Sequence, residues 1–135
     1  MKVAIIGQGY VGLSLATSAA SAGHEVIGFD TNEELVKNLT SGISHVEGVS
    51  IPVRNYLATS DTAKIDGSEI VIIAVPTPLN SERKPELKYL VSACEIIAEN
   101  LKNQALVINE STSFPGTLRD LIAKNIEEKS GIRHL

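Results

Sequence analysis

The chain is poor in the residues that proteins use to bind nucleic acids. Tryptophan is absent and aromatic residues make up only 4% of the 135 residues, which removes the usual stacking platforms for single-stranded nucleic acid. Acidic residues outnumber basic ones and the formal net charge is −4, so the sequence has no basic footprint for a phosphate backbone. We expect no nucleic-acid partner.

Cysteine, clustered histidine and long apolar runs are also scarce. The single cysteine, Cys94, excludes a disulfide framework and a thiolate metal cluster. His24, His45 and His134 are scattered without the spacing of metal ligands, so we expect surface histidines and no metal site. No apolar stretch approaches the roughly 20 residues that span a bilayer, and none resembles a signal peptide. We therefore expect a cytoplasmic protein that does not enter a membrane.

The sequence is rich instead in small and aliphatic residues, and these are most informative at the N-terminus. A short apolar strand leads directly into Gly7, Gly9 and Gly12, which form G-x-G-x-x-G at the start of a predicted helix. In a dinucleotide site Gly7 allows the tight turn, Gly9 lets the backbone approach a pyrophosphate, and Gly12 lets the helix pack closely. The phosphates then lie on free N–H groups at the helix N-terminus.

The residues that follow the glycines complete this pattern. The helix carries a stripe of small residues at helical spacing, which suits close packing on a parallel sheet, and it ends at Gly23. A second strand from Glu25 to Phe29 ends in Asp30, about twenty residues past the glycines, where an acid that binds a ribose is expected. Glycines at this spacing also occur in ordinary turns, but the combination favours a nucleotide site.

Asp30 has a second interpretation, as a carboxylate that stabilises the positive end of the next helix. Thr31 and Glu34 form a plausible capping box for that helix, which starts at Thr31 and ends near Gly42. If they cap it, Asp30 remains free for a ligand.

The remaining chain alternates between predicted strands and helices. From residue 43 to residue 75 we expect a loop with a short helix at 43–55, an edge strand at 56–60, a helical turn at 62–65 and a buried strand at 69–75. Beyond it we expect a helix with Pro85 in its first turn and a buried strand at 105–109. A last helix should end at Gly131, before a strand from Ile132. One face of that helix carries Leu118, Leu121, Ile122 and Ile126. This alternation predicts a doubly wound parallel sheet of order 3-2-1-4-5 with helices on both faces.

Polar segments follow the fourth and fifth strands. Pro76-Thr77-Pro78 ends the fourth strand, and Glu110-Ser111-Thr112 follows the fifth. Ligands of open α/β sheets bind outside the carboxyl ends of the strands, so we expect these segments to line the site.

Cys94 lies in a helix in which Leu87, Leu90, Val91, Ile97 and Leu101 share its face. We therefore predict that Cys94 is a core residue and not a nucleophile.

Four segments together carry a family resemblance. G-Q-G-Y-V-G-L at 7–13, Asp30, V-P-T-P at 75–78 and E-S-T-S-F-P-G-T at 110–117 resemble the N-terminal domain of the UDP-glucose/GDP-mannose dehydrogenase family. The match spans nearly the whole chain in the right order. It is most similar to the branch that oxidises UDP-N-acetylated hexosamines.

The resemblance implies NAD as cofactor and a UDP-sugar as substrate, either a UDP-N-acetylhexosamine or UDP-glucose. The C6 alcohol would be oxidised to a carboxylate in two hydride transfers with two NAD. The residues implied in NAD binding are Gly7, Gly9, Tyr10, Val11, Gly12, Asp30, Thr31, Val75, Pro76, Thr77, Ser111 and Thr112. The complete protein is expected to be a homodimer or a higher oligomer.

The family's catalytic cysteine belongs to a downstream glycine-rich motif that these 135 residues do not contain. An activated thiolate is needed to capture the aldehyde before the second hydride transfer. We therefore expect residues 1–135 to be an NAD-binding domain without the substrate and dimerisation domains, with no catalytic residue and no activity alone. The alternative is a stand-alone dinucleotide-binding or sensing module, because fold does not determine function.

Overall fold

The computed structural model describes residues 1–102 and 104–133. Its strands are β1 (Lys2–Ile6), β2 (Glu25–Phe29), β3 (Tyr56–Thr59), β4 (Ile70–Ile73) and β5 (Leu106–Asn109). Its α-helices are α1 (Tyr10–Ser21), α2 (Glu33–Thr40), α3 (Lys88–Asn100) and α4 (Lys124–Ser130), with a 3-10 helix at Thr62–Ile65 and a π-helix at Thr117–Ala123.

The five strands form one parallel sheet in the order β3-β2-β1-β4-β5, which confirms the predicted order. In the register of the sheet, Ile6 pairs with Phe29 and with Ile73, Phe29 pairs with Thr59, and Ile73 pairs with Asn109. The carboxyl ends of all five strands therefore lie in one row. The loops that follow them therefore meet at the carboxyl end of the sheet.

Side chains of β1 alternate between the two faces of the sheet. Val3 and Ile5 pack with Ala16 and Ala20 of α1, where small residues allow close approach. Ala4 and Ile6 face the opposite core cluster, which also contains Leu90, Cys94 and Ile97 of α3 and Ile122 of the π-helix. Helices thus cover both faces of the sheet, as predicted.

The helix after β2 differs from the prediction at its start. Asn32, not Thr31, caps it: the Asn32 side-chain oxygen accepts a hydrogen bond from the Leu35 N–H at 3.0 Å. The capping box of Thr31 and Glu34 is therefore wrong. Residues 43–55, all of them described, form turns and bends without the short helix that we expected.

The second half of the chain differs in four further places. Pro85 is not in the first turn of a helix, because it pairs with Leu79 in an isolated antiparallel bridge and α3 starts at Lys88. β5 lies at the edge of the sheet, so Leu106 is 58% exposed and the strand is less buried than expected. The last helical segment is a π-helix followed by α4. Leu118 is exposed there and does not share the buried face of Ile122.

The predicted last strand is the fourth difference, because Ile132 and Arg133 form no strand. His134 and Leu135 lie outside the described residues. Among the described residues, no helix is long and apolar enough to cross a bilayer.

Gly12 and Gly9 allow a matched test of the packing at the start of α1. A Cβ at Gly12 would lie 1.8 Å from the Gly7 carbonyl oxygen, whereas a Cβ at Gly9 would meet nothing within 4 Å. We expect Gly12→Ala to lower the free energy of unfolding by at least about 3 kcal/mol, the upper end of the cost of overpacking. Gly9→Ala is the control and should cost less than about 1 kcal/mol, as expected at a helix N-cap.

Urea denaturation followed by circular dichroism measures both values. Equal stability of the two variants would contradict the close contact between Gly12 and Gly7.

Candidate functional site

The turn after β1 lies at the centre of the row of strand ends. Gly7 has φ +94°, a conformation that L side chains rarely adopt, and its N–H donates to the Phe29 carbonyl at 2.8 Å. A Cβ at Gly7 would lie 2.5 Å from the Ala74 carbonyl oxygen, just after β4. The turn is therefore held between the ends of β2 and β4.

The start of α1 has the features of an anion-binding site. Gly9 is its N-cap and has no side chain to satisfy the first N–H groups, and the first turn carries no acidic residue. Tyr10 and Val11 are 71% and 53% exposed, and the space in front of Gly9 is open. Backbone N–H groups at the positive end of a helix dipole, with a missing Cβ in front of them, fit a pyrophosphate.

Asp30 follows β2 and lies beside this turn. Its Oδ2 accepts a hydrogen bond from the Gln8 N–H at 2.8 Å, and its Oδ1 accepts one from the Asn32 N–H at 2.9 Å. Two of the acceptor positions of the Asp30 carboxylate are therefore occupied by backbone N–H groups. A carboxylate has about four acceptor positions, so the half-buried Asp30 can still accept from a ribose hydroxyl pair. Thr31 is exposed next to it.

The segments after β4 and β5 lie against each other, as the sequence predicts. The Ser111 hydroxyl accepts from the Val75 N–H at 3.0 Å, and the Thr77 hydroxyl donates to the Thr112 carbonyl at 2.7 Å. Pro76 is exposed between Val75 and the half-buried Thr77. These contacts produce a wall of hydroxyl and backbone groups on the β4 and β5 side of the glycine turn.

Sequence reasoning missed Gln8 and Tyr56. The Gln8 side chain is fully buried, its Nε2 donates to the Ile5 and Gly7 carbonyls, and its Oε1 accepts from the Tyr56 hydroxyl at 2.8 Å. Burial, and secondarily the charge of Asp30, raise the pKa of Tyr56 well above its usual value, so its hydroxyl stays protonated and donates. The available signal was Gly28, because an interior strand glycine often marks a close approach of other atoms.

The 43–55 segment also reaches the site. The ring of His45 meets the ring of Tyr10 edge to face, with 6.3 Å between the ring centroids. His45 is exposed and His24 is half-buried, so the surface prediction holds for His45 and only in part for His24. Among the described residues, no group of three or more His, Cys, Asp or Glu side chains could hold a metal ion.

Comparison with known proteins identifies the family of the chain. The model of the UDP-glucose/GDP-mannose dehydrogenase family, NAD binding domain, matches residues 1–134. The chain belongs to this family.

Curated relatives and solved structures of the family agree. UDP-N-acetyl-D-mannosamine dehydrogenase of Pyrococcus horikoshii is 36% identical over 98% of this chain, and UDP-N-acetyl-D-glucosamine 6-dehydrogenase of Salmonella typhi is 35% identical over 98%. The structure of the Pyrococcus horikoshii enzyme superimposes with a TM-score of 0.92 at 34% identity, covering 99% of this chain and 34% of that one. The chain spans 33% and 32% of the length of the two curated relatives.

Membership of the family makes the state of Cys94 important, because the predicted chemistry requires a thiolate. Cys94 lies on α3, is fully buried, and packs in the core cluster that includes Leu90 and Ile97. Burial raises the pKa of the Cys94 thiol to about 11. This confirms that Cys94 is a core residue.

We expect Cys94 to resist alkylation by iodoacetamide in the folded chain. Its raised pKa leaves about one thiol in a thousand ionised at about pH 8, and the folded core excludes the reagent. In denaturant the same cysteine should react at the rate of a free thiol. Mass spectrometry at timed intervals measures both rates, and rapid modification of the native chain would show that Cys94 is accessible.

Proposed function

We propose that this chain is the NAD-binding part of a nucleotide-sugar 6-dehydrogenase that oxidises the C6 alcohol of a UDP-sugar to a carboxylate. The observation that carries the proposal is the glycine turn with open N–H groups at Tyr10 and Val11, placed next to the Asp30 carboxylate. Family membership supports the cofactor. The names of the relatives support a UDP-N-acetylhexosamine as the substrate class.

In this proposal the chain binds the two halves of NAD with different groups. The backbone from Gly7 to Gly12 holds the pyrophosphate and Asp30 holds the adenosine ribose, with Thr31 beside it. The nicotinamide half lies toward Val75, Pro76, Thr77, Ser111 and Thr112, whose contacts join the ends of β4 and β5. When bound, NAD supplies the hydride acceptor for oxidation of the sugar carbon.

The residues of this chain supply positioning and not covalent chemistry. The aldehyde formed by the first hydride transfer must add a nucleophile before a second hydride can leave, and the family resemblance implies a thiolate for that role. The only thiol among the 135 residues is the buried Cys94. We therefore propose that substrate capture and sugar specificity depend on residues outside this segment. Assembly into a homodimer or higher oligomer depends on them too. We propose that the complete enzyme is cytoplasmic.

We predict tighter binding of NAD than of NADP. A 2′-phosphate would face the Asp30 carboxylate, and Thr31, Asn32 and Glu33 offer no positive charge to balance it. Asp30→Ala should weaken NAD binding by about 1–3 kcal/mol, the range for removal of a charged hydrogen-bond partner. Isothermal titration calorimetry measures these affinities.

Asp66→Ala is the matched control for this titration. The Asp66 carboxylate also accepts a backbone N–H bond, from Gly67. It precedes β4, however, and so lies at the amino-terminal end of the strands, opposite the candidate site. Its replacement should leave both affinities unchanged. Equal affinity of the wild-type chain for NAD and NADP would count against the role of Asp30.

We also predict that this chain binds NAD but turns over no UDP-sugar. The binding groups come from one sheet, whereas the activated thiol is missing. Calorimetry should detect NAD binding by the wild-type chain and a loss of binding in Gly9→Ala, where a Cβ would enter the pyrophosphate space without a clash inside the protein. Absorbance should detect no NADH with UDP-glucose or UDP-N-acetylhexosamines. Sustained NADH formation that Cys94→Ala abolishes would overturn this prediction.

A further inference from the structure

A buried hydrogen bond joins the edge strand β3 to the glycine turn. The Tyr56 hydroxyl donates to Gln8 Oε1 at 2.8 Å, although the two residues are 48 positions apart in the sequence. Gln8 is fully buried, so water cannot replace this donor at the amide oxygen. The contact therefore couples the position of Gln8 to that of Tyr56.

Gly28 makes this contact possible. Tyr56 starts β3, and its ring runs across β2 above Gly28. A Cβ at Gly28 would lie 2.5 Å from Gln8 Oε1 and 2.6 Å from the Tyr56 ring. Because Gly28 has no side chain, it leaves the space in which the tyrosine hydroxyl contacts the glutamine.

Gln8 is also the residue that connects the turn to Asp30. Its backbone N–H donates to Asp30 Oδ2 at 2.8 Å, and its side-chain Nε2 donates to the carbonyl of Gly7 at 3.1 Å and to that of Ile5 at 3.3 Å. One residue thus joins the pyrophosphate turn, the carboxylate and, through Oε1, the edge strand. A shift of Gln8 as a whole would therefore affect the turn through its side chain and the Asp30 carboxylate through its backbone N–H.

We propose that Tyr56 is a positioning residue for NAD, which acts through Gln8 to hold the glycine turn and the Asp30 carboxylate in their binding geometry. This inference rests on the proposed function of the glycine turn and Asp30. Tyr56 does not need to touch the cofactor for this role. Its effect is to fix the side-chain amide of Gln8, which donates to the Gly7 carbonyl, and with it the position of the residue whose backbone N–H donates to the carboxylate.

The test is a double-mutant cycle with Tyr56→Phe and Gln8→Met, both close to the original side chains in size. Tyr56→Phe should weaken NAD binding roughly threefold to tenfold, which corresponds to one ordinary hydrogen bond. In the Gln8→Met background, Tyr56→Phe should have no further effect, because the acceptor through which it acts is gone. Tyr89→Phe, on the exposed tyrosine of α3, is the control and should bind NAD like the wild type.

Affinity is measured by calorimetry at a temperature at which denaturation curves show every variant to be folded. A purely structural role of Tyr56 would lower the stability and leave the NAD affinity of the folded chain unchanged, which would overturn the inference. An equal loss with and without Gln8 would also overturn it. Asp30→Ala in the same series separates the two proposals. If the Asp30→Ala variant binds NAD normally, the proposed site is wrong. If Asp30→Ala weakens NAD binding and Tyr56→Phe does not, only the positioning role is wrong.

Discussion

The contact between the glycine turn and the end of β4 is the constraint on which the rest of this structure depends. Gly7 approaches the Ala74 carbonyl so closely that no side chain fits, while Gly12 brings α1 even closer to the Gly7 carbonyl. These two approaches place the start of α1 directly above the central strands. Because the register aligns the strand ends, Asp30 after β2 and Thr77 after β4 lie at the same carboxyl end of the sheet, on either side of the glycine turn. The site follows from backbone packing.

The sequence predicted the sheet well because its strands are strong local signals. The β-branched run that contains β4 and the apolar N-terminus are typical of strands buried in a parallel sheet, and the glycine turn and Gly23 mark the two ends of α1. Helix starts were predicted less well. Asn32 and Thr31 are both good caps, and only the three-dimensional path of the chain selects Asn32. Pro85 is equally compatible with a helix start and with the bridge to Leu79 that it forms.

The site residues also divide into those with a local sequence signal and those that depend on the three-dimensional path of the chain. Asp30, Thr77 and Ser111 could be placed from strand ends alone, since parallel strands bring their carboxyl ends together. Gln8 and Tyr56 could not, because their bond depends on the space left by Gly28 and on the register between β2 and β3. The two backbone bonds of Asp30 could not be predicted for a related reason. Its backbone partners, the N–H groups of Gln8 and Asn32, carry no side-chain signature.

A site made largely of backbone groups and missing side chains is compatible with a sequence that diverges around it. At 34% identity the chain still superimposes on the Pyrococcus horikoshii enzyme with a TM-score of 0.92. A pyrophosphate turn needs glycines and open N–H groups, which most surrounding substitutions leave intact. Recognition of one sugar over another instead needs side chains that match its hydroxyl or acetamido groups. An NAD-binding domain of this kind can therefore be shared by relatives whose names specify different sugars.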